Sequence, residues 1–269
     1  MLILLPPSEA KTRPADDGAA PLELESLGLP QLTAARSTVL RAAQRTAASA
    51  DGGAKLGVPA SSPELLERMA RIESEPTAEA LSVYSGVLYE QLRADHSPTP
   101  DRRLLVQSAL FGLVDAGTDR IPAYRLSASS TLSRLGKAAS WWAPHLRPLV
   151  PELRREQAES GSPLVIDCRS GSYRSMMSMR SGDGVRVLEV SPVQERAGVR
   201  KVISHDAKRY RGLVTGALLE AERTPASADE AVDVVRAAFG TEGIGTQGVR
   251  SGLQVELDGD RLVVVDRVG

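Results

Sequence analysis

Met1-Leu-Ile-Leu-Leu5 opens the chain as a short, continuously apolar run and gives way at once to Pro6-Pro-Ser-Glu-Ala-Lys-Thr12. A run this short, with no polar alternation, fits a strand buried on both faces, the kind found in parallel or mixed sheets covered by helices. The polar segment behind it then lies beyond the carboxyl end of a core strand, the usual ligand position in such sheets. Ser8, Lys11 and Thr12 are placed there to contact an anion, although the glycines of a nucleotide-binding P-loop are missing.

The same pattern recurs at Leu164-Val-Ile166, which opens into Asp167-Cys-Arg-Ser-Gly-Ser-Tyr173. Two such strand ends side by side would make a polar pocket holding Ser170 and Tyr173. Leu104-Leu-Val106, Val185 to Val190 and Lys201-Val-Ile-Ser204 are further strand candidates. Residues 13 to 30, rich in Pro, Ala and acidic groups without a period, read as a long and mobile loop. Helices are expected over about 31–50, 62–73, 77–93, 138–158 and 208–220. Ser62-Pro63 opens the second of these, and Thr77 caps the third, where Leu81, Tyr84, Leu88 and Leu92 share a face. Ser227-Ala-Asp-Glu230 is a capping box for a last helix. Leu253, Val255 and Leu257, then Asp258-Gly259, then Leu262 and Val264 spell a hairpin. The expected fold is α/β in the mixed α+β sense. It is one compact domain over 1–269, a central mixed sheet flanked by helices and closed by a C-terminal β-hairpin.

The bulk numbers agree with a folded, water-soluble chain: of 269 residues 42% are hydrophobic and 25% charged. No run approaches the length of a membrane span, and the apolar start lacks the basic flank of a signal peptide, so a cytoplasmic location and no membrane partner are expected. One cysteine, Cys168, excludes an intramolecular disulfide and multi-cysteine metal motifs. His205-Asp206 with His96 and His145 matches no metal-ligand spacing, and no metal or cofactor is expected. With 33 Lys plus Arg against 34 Asp plus Glu, the net charge of -1 supplies no global field for nucleic acid. Any anion site must come from cations brought together locally.

The helix from Lys208 offers such cations. At 100° per residue, Tyr210, Leu213, Val214 and Ala217 point one way, and Lys208, Arg211, Gly212 and Thr215 the other. A glycine there suggests close approach by a ligand or by another backbone. Gln107 to Gly112, Asp119 to Arg125 and Tyr84 to Tyr89 add candidate polar groups, and the five tyrosines all fall in these segments. Tyr210 reads as core, whereas Tyr124 beside Arg125, and Tyr173, offer a stacking face and a phenol. Cys168, near Arg169 at a strand end, is either a small buried residue or a reactive thiol. Leu132 to Ala139, with one glycine, faintly resembles a helix-hairpin-helix turn.

Taken in order, these segments resemble the YaaA family of peroxide-stress proteins. The likeness rests on Ser8, Ala10, Lys11 and Thr12, with Glu9 where many members carry proline. It continues through Gly86 with Tyr89, Ser108 with Gly112, and Asp119 with Tyr124 and Arg125. Ser170 with Tyr173, and Ala207-Lys208 with Arg211-Gly212, complete a series that spans roughly residues 1–220. The resemblance implies a compact mixed α/β fold and a role in limiting damage under hydrogen peroxide stress. It also implies DNA binding through a positively charged cleft with a helix-hairpin-helix element.

Three functions follow. In the first, Ser8, Lys11, Thr12, Arg125, Lys208, Arg211 and Gly212 form a basic cleft for nucleic acid or another phosphate-bearing ligand, which requires those cations to converge on an extended surface. In the second, the same residues hold a nucleotide, nucleoside or small anionic metabolite, with Tyr124, Tyr173, Asp119 and Ser170 as the catalytic groups of an enzyme. In the third they are structural, cations pairing with Asp119 or Asp167 and tyrosines filling the core.

Overall fold

A computed structural model describes residues 1–16, 19–92, 98–203, 206–240 and 253–267. The first strand, β1 (Leu2–Leu5), is buried at all four positions. Helices α1 (Thr33–Ala47), α2 (Gly52–Leu56) and α3 (Glu64–Ala70) follow, then β2 (Thr77–Glu79) and the single turn α4 (Ala80–Val83). Next come β3 (Arg103–Ser108), β4 (Gly112–Asp115), β5 (Arg120–Pro122), and the two-residue strands β6 (Thr131–Leu132) and β7 (Gly136–Lys137). Helices α5 (Ala138–Leu146) and α6 (Val150–Glu159) lead into β8 (Leu164–Asp167) and α7 (Gly171–Met176). The chain continues through β9 (Arg186–Arg196), β10 (Val199–Val202), α8 (Ala207–Glu220) and α9 (Ala228–Phe239). It closes with β11 (Leu253–Asp258) and β12 (Arg261–Arg267).

Eight strands form one mixed sheet in the order β11-β12-β9-β8-β1-β3-β4, with β10 paired to β9. β3, β1, β8, β9 and β12 run parallel to one another, Leu4 facing Leu105 on one side and Asp167 on the other, while β4, β10 and β11 are antiparallel to β3, β9 and β12. Both β1 and β8 are buried at every position, so both sheet faces are covered there, as an unbroken apolar run requires. From β1 the chain goes to β3 on one side, and later to β8 on the other. The carboxyl ends of β1 and β8 therefore border the point where the winding reverses, where open α/β sheets bind their ligands.

The C-terminal hairpin forms as expected, with one shift. Asp258 pairs with Arg261, so the two-residue loop is Gly259-Asp260, and Gly259 takes the positive φ of 55° that the turn needs. β12 lies between β11 and β9, and Leu262 to Asp266 are buried without alternation. At the Ser227 cap, the Oγ accepts the Glu230 amide, while the Glu230 carboxylate reaches the amide of Ala226.

Four expectations need correction. The helix expected over 77–93 is broken up: Thr77–Glu79 pairs antiparallel with β5, one helical turn follows, and Tyr84 leaves to bridge Lys11. Sheet pairing here overrides an apparent helical period. The helix expected over 138–158 splits at a 3-10 turn, Arg147–Leu149, that contains Pro148, because a proline lacks an amide proton and crowds the preceding turn, whereas Pro151 falls in the first turn of α6, where it is tolerated. Residues 131–137 form a tight β-hairpin with positive φ at Arg134 and Gly136, so 132–139 is not a helix-hairpin-helix. The loop before α1 is pinned rather than loose. Arg13 pairs with Glu75, the Leu22 amide with the Glu73 carbonyl, and the Gly28 amide with Asp119. His96 and His205 lie outside the described residues.

Candidate functional site

The segment after β1 turns at Pro6-Pro7 and runs antiparallel to residues 83–84, with the Thr12 amide on the Val83 carbonyl and Lys11 bridging Tyr84. Ser8 Oγ accepts the Ser85 amide at 3.2 Å. These contacts hold Ser8 and Glu9 against the end of β8, where Ser170 leaves the strand and Tyr173 follows one turn into α7. Lys208 and Arg211 of α8, with Leu126 and Ser127, complete the lining.

The resulting cavity has a volume of about 170 Å³ and is lined by Pro6 to Glu9, Arg125 to Ser127, Ser170, Tyr173, Lys208 and Arg211. A second cavity of about 380 Å³ adjoins it through Glu9 and Arg125, and adds Ala10, Lys11, Leu65, Arg68, Met69, Ala123 and Tyr124. The cations expected to act together are thus divided. Arg125, Lys208 and Arg211 line the first cavity with Ser8, Ser170 and Tyr173. Lys11 and Tyr124 line the second.

Arg211 is the unusual group in the first cavity. Its residue surface is 9% exposed, its Nε has no hydrogen-bond partner, and among the described residues no carboxylate lies within ion-pair distance. Burial lowers the pKa of its guanidinium and Arg174 adds to the effect, while Glu189 and Asp167, beyond ion-pair distance, oppose it. Lys208 reaches Glu9 at 3.8 Å at the rim. Arg125 donates to the carbonyls of Gly57 and Glu9. The Tyr173 hydroxyl accepts the Ala128 amide at 3.2 Å, and burial pushes its pKa up to about 12, leaving it a proton donor at neutral pH.

In the second cavity Lys11 lies with Nζ 3.9 Å from the Tyr124 ring centroid and 5.5 Å from that of Tyr84, and donates to the Ser8 carbonyl at 2.7 Å. Burial, with Arg125 beside it, pulls its pKa down to about 7, against the opposing pull of Glu9. Behind it runs a hydroxyl chain. Ser108 Oγ accepts the amides of Leu110 and Phe111, which uses both lone pairs, so its proton goes to Tyr124 Oη at 2.7 Å. Tyr124 in turn donates to Tyr84 Oη at 3.1 Å. Desolvation raises the pKa of both phenols.

Three expected site residues line neither cavity. Asp119 spends both oxygens on backbone, accepting the Gly28 amide at 2.7 Å and the Asp115 amide at 2.8 Å, and so ties the loop before α1 to the β4–β5 turn. Thr12 is exposed beyond the strand end. Gly212 faces the carbonyl of Leu88, where an added Cβ would lie 2.2 Å from the oxygen, so the close approach it permits is by backbone. Most of the polar face expected for α8 is itself buried, with Arg211, Gly212 and Thr215 inside and only Lys208 of that set exposed. Cys168 is fully buried between β8 and α8, with Sγ 3.5 Å from Thr215 Oγ1, and burial pushes its pKa up to about 12.

Sequence reasoning did not single out Glu9, Arg68 or Ser127. Glu9 stood in the quoted motif but read only as a departure from the family's proline, and Arg68 carries no local signal on a short amphipathic helix.

The family profile described as "Peroxide stress protein YaaA" matches residues 1–237. A UPF0246 protein of Corynebacterium efficiens is 38% identical over 241 residues, covering 88% of this chain and 93% of the relative. UPF0246 proteins of Corynebacterium glutamicum and Streptomyces coelicolor are each 35% identical, over 246 and 250 residues, each covering 88% of this chain and respectively 93% and 89% of the relative. The match runs through every segment that builds the two cavities, and the chain belongs to the peroxide stress protein YaaA family, UPF0246.

Proposed function

We propose that this YaaA-type peroxide stress protein acts by binding a small phosphate-bearing ligand, its anionic group seated on Arg211 between Arg125 and Lys208, and that this binding limits oxidative damage. The observation that carries the reading is Arg211: a buried guanidinium whose Nε is unpartnered and which has no carboxylate within ion-pair distance among the described residues, at the edge of a cavity beyond the ends of β1 and β8. A charge left so is costly unless an anion completes it. The Ser170 hydroxyl and the Tyr173 phenol line the same space and supply neutral donors for further phosphate oxygens, whereas the Ser8 hydroxyl donates to the Ala10 carbonyl.

Cavity size favours a small ligand over a nucleic-acid track. A duplex needs cations spread along an extended surface, whereas Arg125, Lys208 and Arg211 line about 170 Å³ with Glu9 at the rim. The enclosed geometry, with a phenol and two hydroxyls beside the cations, also favours an enzyme acting on a nucleotide, nucleoside or small anionic metabolite. In that reading Tyr173 is the proton donor and Ser170 orients the reacting group.

The test is titration of the purified protein with inorganic phosphate, a nucleotide panel and duplex DNA at two salt concentrations, for wild type and Arg211→Met. Saturable binding of a small phosphate-bearing ligand, weakened roughly 10- to 100-fold by Arg211→Met, is expected for loss of a charge-assisted contact. Small-anion binding that is absent, or unchanged in the variant, overturns the reading. Duplex affinity with steep salt dependence would establish the nucleic-acid alternative.

A further inference from the structure

The second cavity holds a chemistry that the anion seat does not use. Its apolar wall is Leu65, Met69 and Ala123, its floor is the Tyr124 ring, and Lys11 Nζ lies over that ring with the guanidinium residues Arg68 and Arg125 also lining the space. Among the described residues no carboxylate lies within ion-pair distance of Lys11; Glu9, which lines the same cavity, reaches Lys208 instead. An amine held in a desolvated pocket beside another cation loses its proton readily and becomes a nucleophile.

We propose that Lys11 condenses with a small carbonyl compound bearing an anionic group, such as a 2-oxo acid, whose carboxylate is drawn by Arg68 and Arg125. The lone pair of the neutral Nζ forms the N–C bond while the carbonyl π pair moves to oxygen. That oxygen leaves as water, carrying in balance the two protons of the amine, and a C=N bond remains. Amine and carbonyl give imine and water, with no change of oxidation state and no further reactant.

The charged and titratable groups around Nζ are Glu9 on its own segment, Arg68 on α3, Arg125 beyond β5, and the phenols of Tyr84 and Tyr124. Arg125 disfavours the ammonium, while Glu9 and the ring faces favour it. With its pKa near 7, about half of Lys11 is neutral at that pH. An ordinary lysine, with pKa ~10.4, is neutral in roughly one part in 2,500 at pH 7.

Glyoxylate is the probe. The purified protein is incubated with glyoxylate and sodium cyanoborohydride from about pH 6 to pH 9, and the carboxymethyl-lysine formed by reduction is mapped by mass spectrometry at Lys11, Lys55, Lys137, Lys201 and Lys208. Lys11 should be modified at least about tenfold faster than the others at pH 7, with its rate levelling above neutrality while theirs keep rising. Propanal, which lacks the carboxylate, should lose most of that preference. Lys11 modified no faster than the exposed lysines overturns the proposal; equal preference for propanal and glyoxylate overturns the role of Arg68 and Arg125. The readout is on the wild-type fold and does not involve Arg211, so it succeeds or fails separately from the anion seat.

Discussion

The guanidinium of Arg169 grips the carboxylate of Asp167, two residues earlier, with Nε 2.9 Å from Oδ1 and Nη2 2.8 Å from Oδ2, and both side chains are shut away from solvent. Nη1 reaches Gln107 at the end of β3, so this one residue joins the ends of β8 and β3 across β1. Arg169→Met leaves the buried Asp167 carboxylate only the more distant Arg174 Nε, at 3.8 Å, and should cost about 3 kcal/mol in urea unfolding. Arg169→Met combined with Asp167→Leu should cost less than the first change alone. A double variant as unstable as the sum of both singles would show that the pair does not act as a unit.

Gly212→Ala should destabilise even though alanine is the better helix former. The gain of roughly 1 kcal/mol in propensity is set against a Cβ placed 2.2 Å from the Leu88 carbonyl oxygen and 2.9 Å from Gln91 Cβ. Backbone on one side cannot rotate away, so α8 must shift, at a cost of about 1–3 kcal/mol. Thermal unfolding measures it; an unchanged or raised midpoint would mean the helix moves freely.

Cys168 should be inert in the folded protein. Its thiol is buried and its pKa is pushed up to about 12 by desolvation, so almost no thiolate exists at neutral pH. Neither a chromogenic disulfide reagent nor hydrogen peroxide should modify it until denaturant is added. Rapid native-state oxidation would instead make it a peroxide sensor.

Stability should rise with pH above neutrality through Lys11. Its folded pKa of about 7 lies below the ordinary lysine value, so between the two the unfolded chain holds a proton that the folded chain has shed. Lys11→Met removes that term. The variant should therefore gain on wild type most at about pH 6 and least at about pH 9 in guanidine unfolding, and a pH-independent difference would contradict a lowered Lys11 pKa in the folded protein.

Asp119→Ala should cost about 2–3 kcal/mol by stranding the amides of Gly28 and Asp115, with ligand binding unchanged because Asp119 lines neither cavity. Unchanged stability with lost ligand binding, measured by calorimetry, would return Asp119 to the site.

Much of the fold was legible because its signals are local. Met1 to Leu5 and Leu164 to Ile166 announce core strands by unbroken apolarity, and both prove buried on both faces. The Ser227 cap and the 253–267 hairpin depend on residues only a few positions apart. Residues 77–93 failed for the opposite reason. Their helical spacing is outweighed by two long-range pairings, Thr77 to Pro122 and Lys11 to Tyr84, that no local window contains.

The candidate site divides along the same line. Sequence alone determined that polar, cationic segments follow buried strands and that α8 carries Arg211 beside a glycine, because residue type and period are written in the chain. Only the tertiary structure decided that β1 and β8 are neighbours, that the Arg211 Nε is buried without a hydrogen-bond partner among the described residues, and that Lys11 belongs to a different cavity from Lys208 and Arg211, with Arg125 shared by both. The physical reason is that desolvation and pairing depend on what comes from elsewhere in the chain: Gly212 faces Leu88, Asp119 takes Gly28, and Glu9 is drawn to Lys208.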